Sequence, residues 1–249
     1  MTIETKITDA LNRDGIVILP PMEAFESTSL LKDNNIHVQC TMLDPWYNKG
    51  LGGELPIDEY DLFIQTLLNG TAEISDLLYL WGFPEIVGPY VRNAPKGFYL
   101  SAWLTWYYKN CPSVIRGWRS SQNACLQFMR KGYALHPENF LEGTQLEKYQ
   151  SGKLRFVPGP PSVIEAPLII GFVGKKERTG HPSQKPEAVF DKLILMATKE
   201  DDLIFDPMAG SGTTAACAKK SHRKAIVCEM SEEYTQMMEK RLNVSRLKL

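Results

Sequence analysis

Apolar residues in this chain fall into short runs that stop at an acid or a proline, and these alternate with stretches of helical spacing. From Asn35 to Leu43 a half-alternating apolar run closes abruptly on Asp44-Pro45, which predicts a strand followed by a turn. A glycine-rich loop (Gly50, Gly52, Gly53) comes next, and Ile57 to Leu68 then has helical spacing with Asp58 and Glu59 in its first turn. Asp76 to Trp81 reads as a buried strand stopped by Gly82 and Pro84, Ile86 to Arg92 as a helix, and Phe98 to Tyr108 and Ala124 to Met129 as further strands. Towards the C-terminus, Pro186 to Ala197 predicts a helix opened by proline, Asp202 to Phe205 a strand, Thr213 to Lys220 a helix, and Lys224 to Cys228 a strand. Ser231 to Leu242 is an amphipathic helix capped by Ser231, with Glu232 and Glu233 at its positive end. Strands alternating with helices predict an α/β fold with a mostly parallel, doubly wound sheet. Arg130 to Pro167 follows neither period and is rich in proline, glycine and charge. It predicts an irregular insertion at about 130–167, outside the central sheet, within a single domain spanning 1–249.

The composition, 43% hydrophobic and 23% charged over 249 residues, is that of an ordinary globular protein. No apolar run approaches the roughly 18–20 residues of a membrane span, and Met1 to Asp14 lacks the apolar core of a secretory signal. The expectation is a cytoplasmic protein with no membrane partner. Five cysteines (Cys40, Cys111, Cys125, Cys217, Cys228) and four histidines (His37, His136, His181, His222) have no ligand spacing, which predicts reduced thiols and no metal. The net charge of −1 hides an asymmetry: Lys109 to Lys185 carries twelve basic and five acidic residues, and the remainder is acidic. A basic middle suits a face that grips a phosphate backbone, although a merely solvated surface reads the same way.

Two loops carry chemistry. In the first, Asp206-Pro207-Met208-Ala209-Gly210-Ser211-Gly212-Thr213 joins a strand to a helix, and the next strand ends at Glu229. Glycines let backbone approach a ligand, a helix start offers free N–H groups, and an acid about twenty residues on can bind ribose hydroxyls. The segment also fits GxGxxA nominally, so a dinucleotide remains open on the loop alone; Asp206 ahead of the glycines repels phosphate and attracts a cation. In the second loop, Asp44-Pro45-Trp46-Tyr47 closes the first strand. A carboxylate and a backbone carbonyl accepting both N–H groups of a base's amino nitrogen would draw it toward a tetrahedral, nucleophilic form. Proline fixes that backbone, and Tyr47 offers a face for stacking. Alone, Asp-Pro after a strand is also ordinary turn chemistry. In a doubly wound sheet both loops reach the same rim. A third polar segment, His181-Pro182-Ser183-Gln184-Lys185-Pro186, precedes the cofactor-type loop.

Together DPWY, HPSQKP and DPMAGSGTT, in that order, resemble the permuted beta subclass of amino-methylating DNA methyltransferases, which act on adenine N6 or cytosine N4. The likeness covers about residue 35 to the C-terminus and implies a Rossmann-like S-adenosylmethionine-dependent methyltransferase fold with a target-recognition insertion at about 130–167. It implies Asp44, Pro45, Trp46 and Tyr47 as catalytic residues. S-adenosyl-L-methionine is then the cofactor, held by Asp206, Pro207, Met208, Ala209, Gly210, Gly212, Thr213 and Glu229, with Lys185 and Pro186 lining its methionine side and Asp44 near its ammonium. Glu229 would bind ribose. DNA with a flipped target base is the implied partner, in a bacterial or phage setting, with a homodimer and a cognate restriction endonuclease as further partners. Asp44 tilts the reading toward adenine; cytosine N4 methylation and a catalytically silent subunit are the alternatives. Trp46 replaces the family's second proline, adding an aromatic surface that either widens stacking at the target or marks an altered site. Met208 stands where phenylalanine is usual, and SSQNACLQF lacks an acid often found there.

Overall fold

The computed structural model describes residues 2–48, 53–111, 117–171 and 173–249. Its strands are β1 (Ile16–Ile18), β2 (Val38–Leu43), β3 (Ser75–Gly82), β4 (Phe98–Tyr107), β5 (Gln122–Arg130), β6 (Val163–Glu165), β7 (Leu203–Asp206) and β8 (Lys224–Val227). Among the described residues they form one sheet in the order β1-β8-β7-β2-β3-β5-β4-β6. Only β5 runs against the rest, antiparallel to β3 and β4, and the other pairings are parallel. The helices are α1 (Ile3–Asp14), α2 (Ala24–Asp33), α3 (Ile57–Ile74), α4 (Pro84–Val87), α5 (Gly143–Gln150), α6 (Glu187–Ala197), α7 (Thr213–Lys220) and α8 (Glu232–Leu242). None is long and apolar enough to cross a membrane.

Both faces of the sheet are covered, which is why its central strands read as continuous apolar runs. In β3, Leu77, Tyr79 and Trp81 join a core with α6, α7 and α8, whereas Leu78 and Leu80 face a second core under α3. A third cluster joins α1 and α2 to Val17, Phe205 and Ile226. The buried positions Tyr60, Ile64, Leu67, Leu68 and Thr71 recur at helical intervals along α3. Each large apolar side chain so buried stabilises the fold by roughly 1.5–3 kcal/mol. The five cysteines are buried and free, as reduced core thiols should be.

The structure extends the sequence reading in three places. Thr2 caps α1, with Ile7 and Ala10 on its buried face, and β1 and α2 follow; β1 has three residues, too few to show a period. The helix begun at Ile57 continues to Ile74 because Thr71, Ala72 and Ile74 are still buried, and Ile86 to Arg92 divides between α4 and a 3-10 turn, Gly88–Arg92. The segment 130–167 is not wholly irregular or outside the sheet. It contains a 3-10 turn (Pro137–Phe140), α5 and β6, and β6 pairs with β4 from Thr105↔Val163 to Tyr107↔Glu165. Three residues with only the middle one buried give no legible alternation. Of the early glycine loop, Gly50 and Gly52 lie outside the described residues, and Gly53 has φ +77°.

The neighbouring parallel strands β2 and β7 decide where a ligand can sit. The chain leaves β2 toward α3 on one face and leaves β7 toward α7 on the other. A crevice therefore opens beyond their carboxyl ends, at the topological switch point.

Candidate active site

Asp44 follows β2 directly and reaches that crevice. One carboxylate oxygen accepts from the Tyr47 hydroxyl at 3.1 Å, and the other meets Lys185 Nζ at 2.5 Å. The Tyr47 ring contacts Phe83 edge-on at 4.9 Å and lies 5.3 Å from Lys185 Nζ. Burial, helped by the Asp44 charge, pushes the Tyr47 phenol up, so it stays a donor at neutral pH. The turn is braced from outside: Tyr60 on α3 donates to the Trp46 carbonyl at 2.7 Å, and the Asn48 amide exchanges two hydrogen bonds with the Leu55 backbone. Pro45 is buried. Trp46 is half-buried and is not among the residues lining the pocket at the crevice. Its indole packs on Tyr60 (5.4 Å) and Phe63 (4.8 Å) against the α3 core, with Nε1 buried and without a hydrogen-bond partner among the described residues. The large ring fills the space between the turn and α3, leaving Asp44 and Tyr47 to the crevice.

Asp206 ends β7 and is 3% exposed. It accepts from the Thr214 hydroxyl and from the Met208 N–H at 3.1 Å. Burial pushes its carboxyl up to about 7, with the Asp44 and Glu229 charges adding and the two hydrogen bonds opposing. Glu229 ties the glycine loop to the end of β8, accepting from Gly210 N at 3.0 Å and Ser231 N at 2.9 Å. Gly210 and Gly212 both have positive φ, +49° and +77°. A Cβ at Gly210 would lie 3.0 Å from His181 Nε2, and one at Gly212 would lie 2.6 Å from Met238 Cγ. Both glycines thus answer to backbone conformation and internal packing, beyond the ligand approach expected of them.

One small pocket is lined jointly by Asp44, Lys185, Phe190, Asp206, Met208, Ala209, Thr213 and Thr214. It brings the DPWY, HPSQKP and DPMAGSGTT segments together. Pro207, Gly210, Gly212, Glu229 and Pro186 are not among its lining residues. Phe190 and Thr214 were not singled out in the sequence. The Thr213-Thr214 doublet was visible, but nothing marked Phe190, one of several apolar residues of α6. His181 packs on Gly210 and, edge-on at 4.4 Å, on Tyr234. Its pKa is lowered by burial and then by the Lys185 cation. The lining fits S-adenosylmethionine: Asp206 is an acid for a cationic ligand, with Asp44 paired to Lys185 beside it, and Met208 and Phe190 suit its apolar parts.

A buried acid near 7 makes cation binding pH-dependent. Below that value Asp206 holds its proton and attracts no cation; above it the carboxylate does. S-adenosylmethionine Kd, measured by calorimetry, is expected to tighten between about pH 6 and 8, and Asp206→Asn should flatten the profile. By the same raised value, the contribution of Asp206 to stability is greatest below about pH 4 and is lost as pH rises toward 7, since the unfolded acid ionises first.

The DNA methylase family that comprises N6 and N4 methyltransferases matches residues 38–240. The chain belongs to this amino-methylating family, whose methyl donor is S-adenosylmethionine. It is 30% identical over 234 residues to the type II methyltransferase M.HpaI of Haemophilus parainfluenzae, covering 88% of this chain and 72% of that protein. It is 28% identical over 228 residues to the DNA adenine methyltransferase YhdJ of Escherichia coli K12, covering 84% and 77%. Among solved structures, the M1.HpyAVI–SAM complex matches with a TM-score of 0.69 at 21% identity, covering 92% of this chain and all of that one. The cytosine-N4-specific PvuII DNA methyltransferase matches at 0.60 and 15%, covering 94% and 97%. The fold is the Rossmann-like one of DNA methyltransferases.

Proposed function

We propose that this chain methylates the exocyclic N6 of adenine in duplex DNA, on a base swung out of the helix. The observation that carries the reading is Asp44 standing beside Asp206 in one switch-point pocket, its carboxylate oriented by Tyr47 and Lys185. S-adenosylmethionine, when bound, supplies an electrophilic methyl on a cationic sulfur. Asp44 and the Pro45 carbonyl accept the two amino N–H groups and turn the nitrogen lone pair outward, and Asp44 holds the hydrogen that the nitrogen sheds. Tyr47 gives the base an aromatic wall. Asp206, Pro207, Met208, Ala209, Gly210, Gly212 and Thr213 hold the donor, and Glu229 takes its ribose.

Glu229→Ala should weaken S-adenosylmethionine binding by about tenfold, the value of one charge-assisted hydrogen bond. Unchanged affinity would remove Glu229 from the ribose site.

The basic middle of the chain divides in two. Arg130 bonds the carbonyls of Ala72 and Ser75, and Lys185 turns inward, so neither faces DNA. Exposed Arg119, Lys148, Lys153, Arg155 and Lys176 are the phosphate contacts of this reading. Residues 136–139 are tied to the far end of α6, through His136 N to Met196 O and the Asn139 amide to Leu195 O. Recognition therefore falls on the later part of the insertion and on the loops at the catalytic rim.

Nucleoside mass spectrometry on duplex DNA incubated with the protein and S-adenosylmethionine tests the reading. N6-methyladenine supports it, and N4-methylcytosine replaces the base. No modified nucleoside, with the donor still bound, would make the chain a silent subunit.

A further inference from the structure

We propose that Lys185 is a positioning residue for Asp44 and not a ligand of the methyl donor; the inference rests on reading Asp44 as the acid that meets the target amino group. The family resemblance implies Lys185 on the methionine side of the donor. The geometry directs it elsewhere. Its ammonium sits 2.5 Å from Asp44 Oδ2, and its side chain is 8% exposed. Tyr47 donates to the other oxygen, so each carboxylate oxygen has one internal donor and keeps a lone pair for an incoming N–H. The carboxylate is thereby fixed in rotation without being used up.

The backbone around Lys185 is also held. The Lys185 carbonyl accepts from the Thr213 hydroxyl at 3.2 Å. On one side, the Gln184 amide donates to the Glu177 carbonyl and accepts from Thr179; on the other, Glu187 N donates to the Glu177 carboxylate. The ammonium is therefore delivered to one place, from 141 positions away in the chain. Electrostatics point the same way. Asp44 and Asp206 share a small pocket, and Lys185 is the basic residue among its lining. The donor has one anionic group, its carboxylate, but the Lys185 ammonium is already engaged by Asp44 at 2.5 Å; paired there it offsets one of the two acids and leaves Asp206 to the donor's positive groups.

The test separates turnover from binding. In Lys185→Met, kcat at saturating DNA and donor should fall roughly a hundredfold, the scale of a misplaced catalytic group. S-adenosylmethionine Kd by calorimetry and DNA Kd by gel shift should stay within about threefold. Lys185→Arg, which can still pair with a carboxylate, should recover most of the loss. Should Lys185→Met melt early, the double variant with Asp44→Asn keeps the question open to measurement: the two kcat losses should be far from additive. A tenfold weaker donor Kd with kcat intact at saturation would overturn the proposal, as would additive losses. Wild-type protein that fails to methylate DNA counts against the functional reading itself; an active wild type with an unaltered Lys185→Met counts against Lys185 alone.

Discussion

Asp44→Ala is expected to lower kcat for DNA methylation by roughly three orders of magnitude, with S-adenosylmethionine affinity changed by less than about threefold. The separation follows from construction. The donor loop is assembled without Asp44: Asp206 is held by Thr214 and Met208, and Gly210 by Glu229. Asp44 instead comes from β2, across the switch point, and its carboxylate is held by Tyr47 and Lys185. Alanine has a second effect, because it strands a buried ammonium, a change worth about 3–5 kcal/mol in buried pairs. Thermal melting must therefore accompany the kinetics. Asp44→Asn removes the charge and keeps the shape: its amide oxygen can still accept from Lys185, and its NH2 can donate to a Tyr47 hydroxyl that turns from donor to acceptor. That variant should fold normally and lose roughly a hundredfold in kcat. A folded Asp44→Asn protein with wild-type turnover would take Asp44 out of the chemistry.

Much of this arrangement could be read from the chain because parallel strands buried on both faces must be apolar along their length and can become polar only at their ends. Asp44 and Asp206 stand out for that reason, and a doubly wound sheet carries both to one rim. The exposed–buried–exposed strand β6 and the three-residue β1 were not legible, since neither is long enough to show a period. The packing of Trp46 was hidden in a different way. Beside a catalytic-type acid it reads as a surface for the target, but α3 presents Tyr60 and Phe63 to it, and a tertiary neighbour is invisible in local sequence. The indole packs against α3, and beside it the Tyr47 hydroxyl still donates to Asp44. Lys185 shows the same limit: HPSQKP announces a basic residue near the donor loop, and only the fold shows that the ammonium ends on Asp44.

Gly212→Ala is expected to destabilise the protein itself, by about 2–5 kcal/mol in urea unfolding, before any ligand is considered. Two effects add. Gly212 caps α7 at φ +77°, a left-handed conformation that costs an L-residue roughly 1–2 kcal/mol. Its new Cβ would also lie 2.6 Å from Met238 Cγ. That atom is near the root of a side chain that is fully buried on α8, so it cannot swing clear, and such overpacking costs typically about 1–3 kcal/mol. Met238→Ala alone removes a core side chain and should lose about 2–5 kcal/mol. Combined with Gly212→Ala it relieves the collision but not the backbone strain, so the double variant should be more stable than the sum of the singles by roughly 1–3 kcal/mol. Full additivity would mean that α8 already yields at this point. Unchanged stability in Gly212→Ala, with donor binding lost, would mean that the glycine serves the approaching ligand and that its fit against Met238 is incidental.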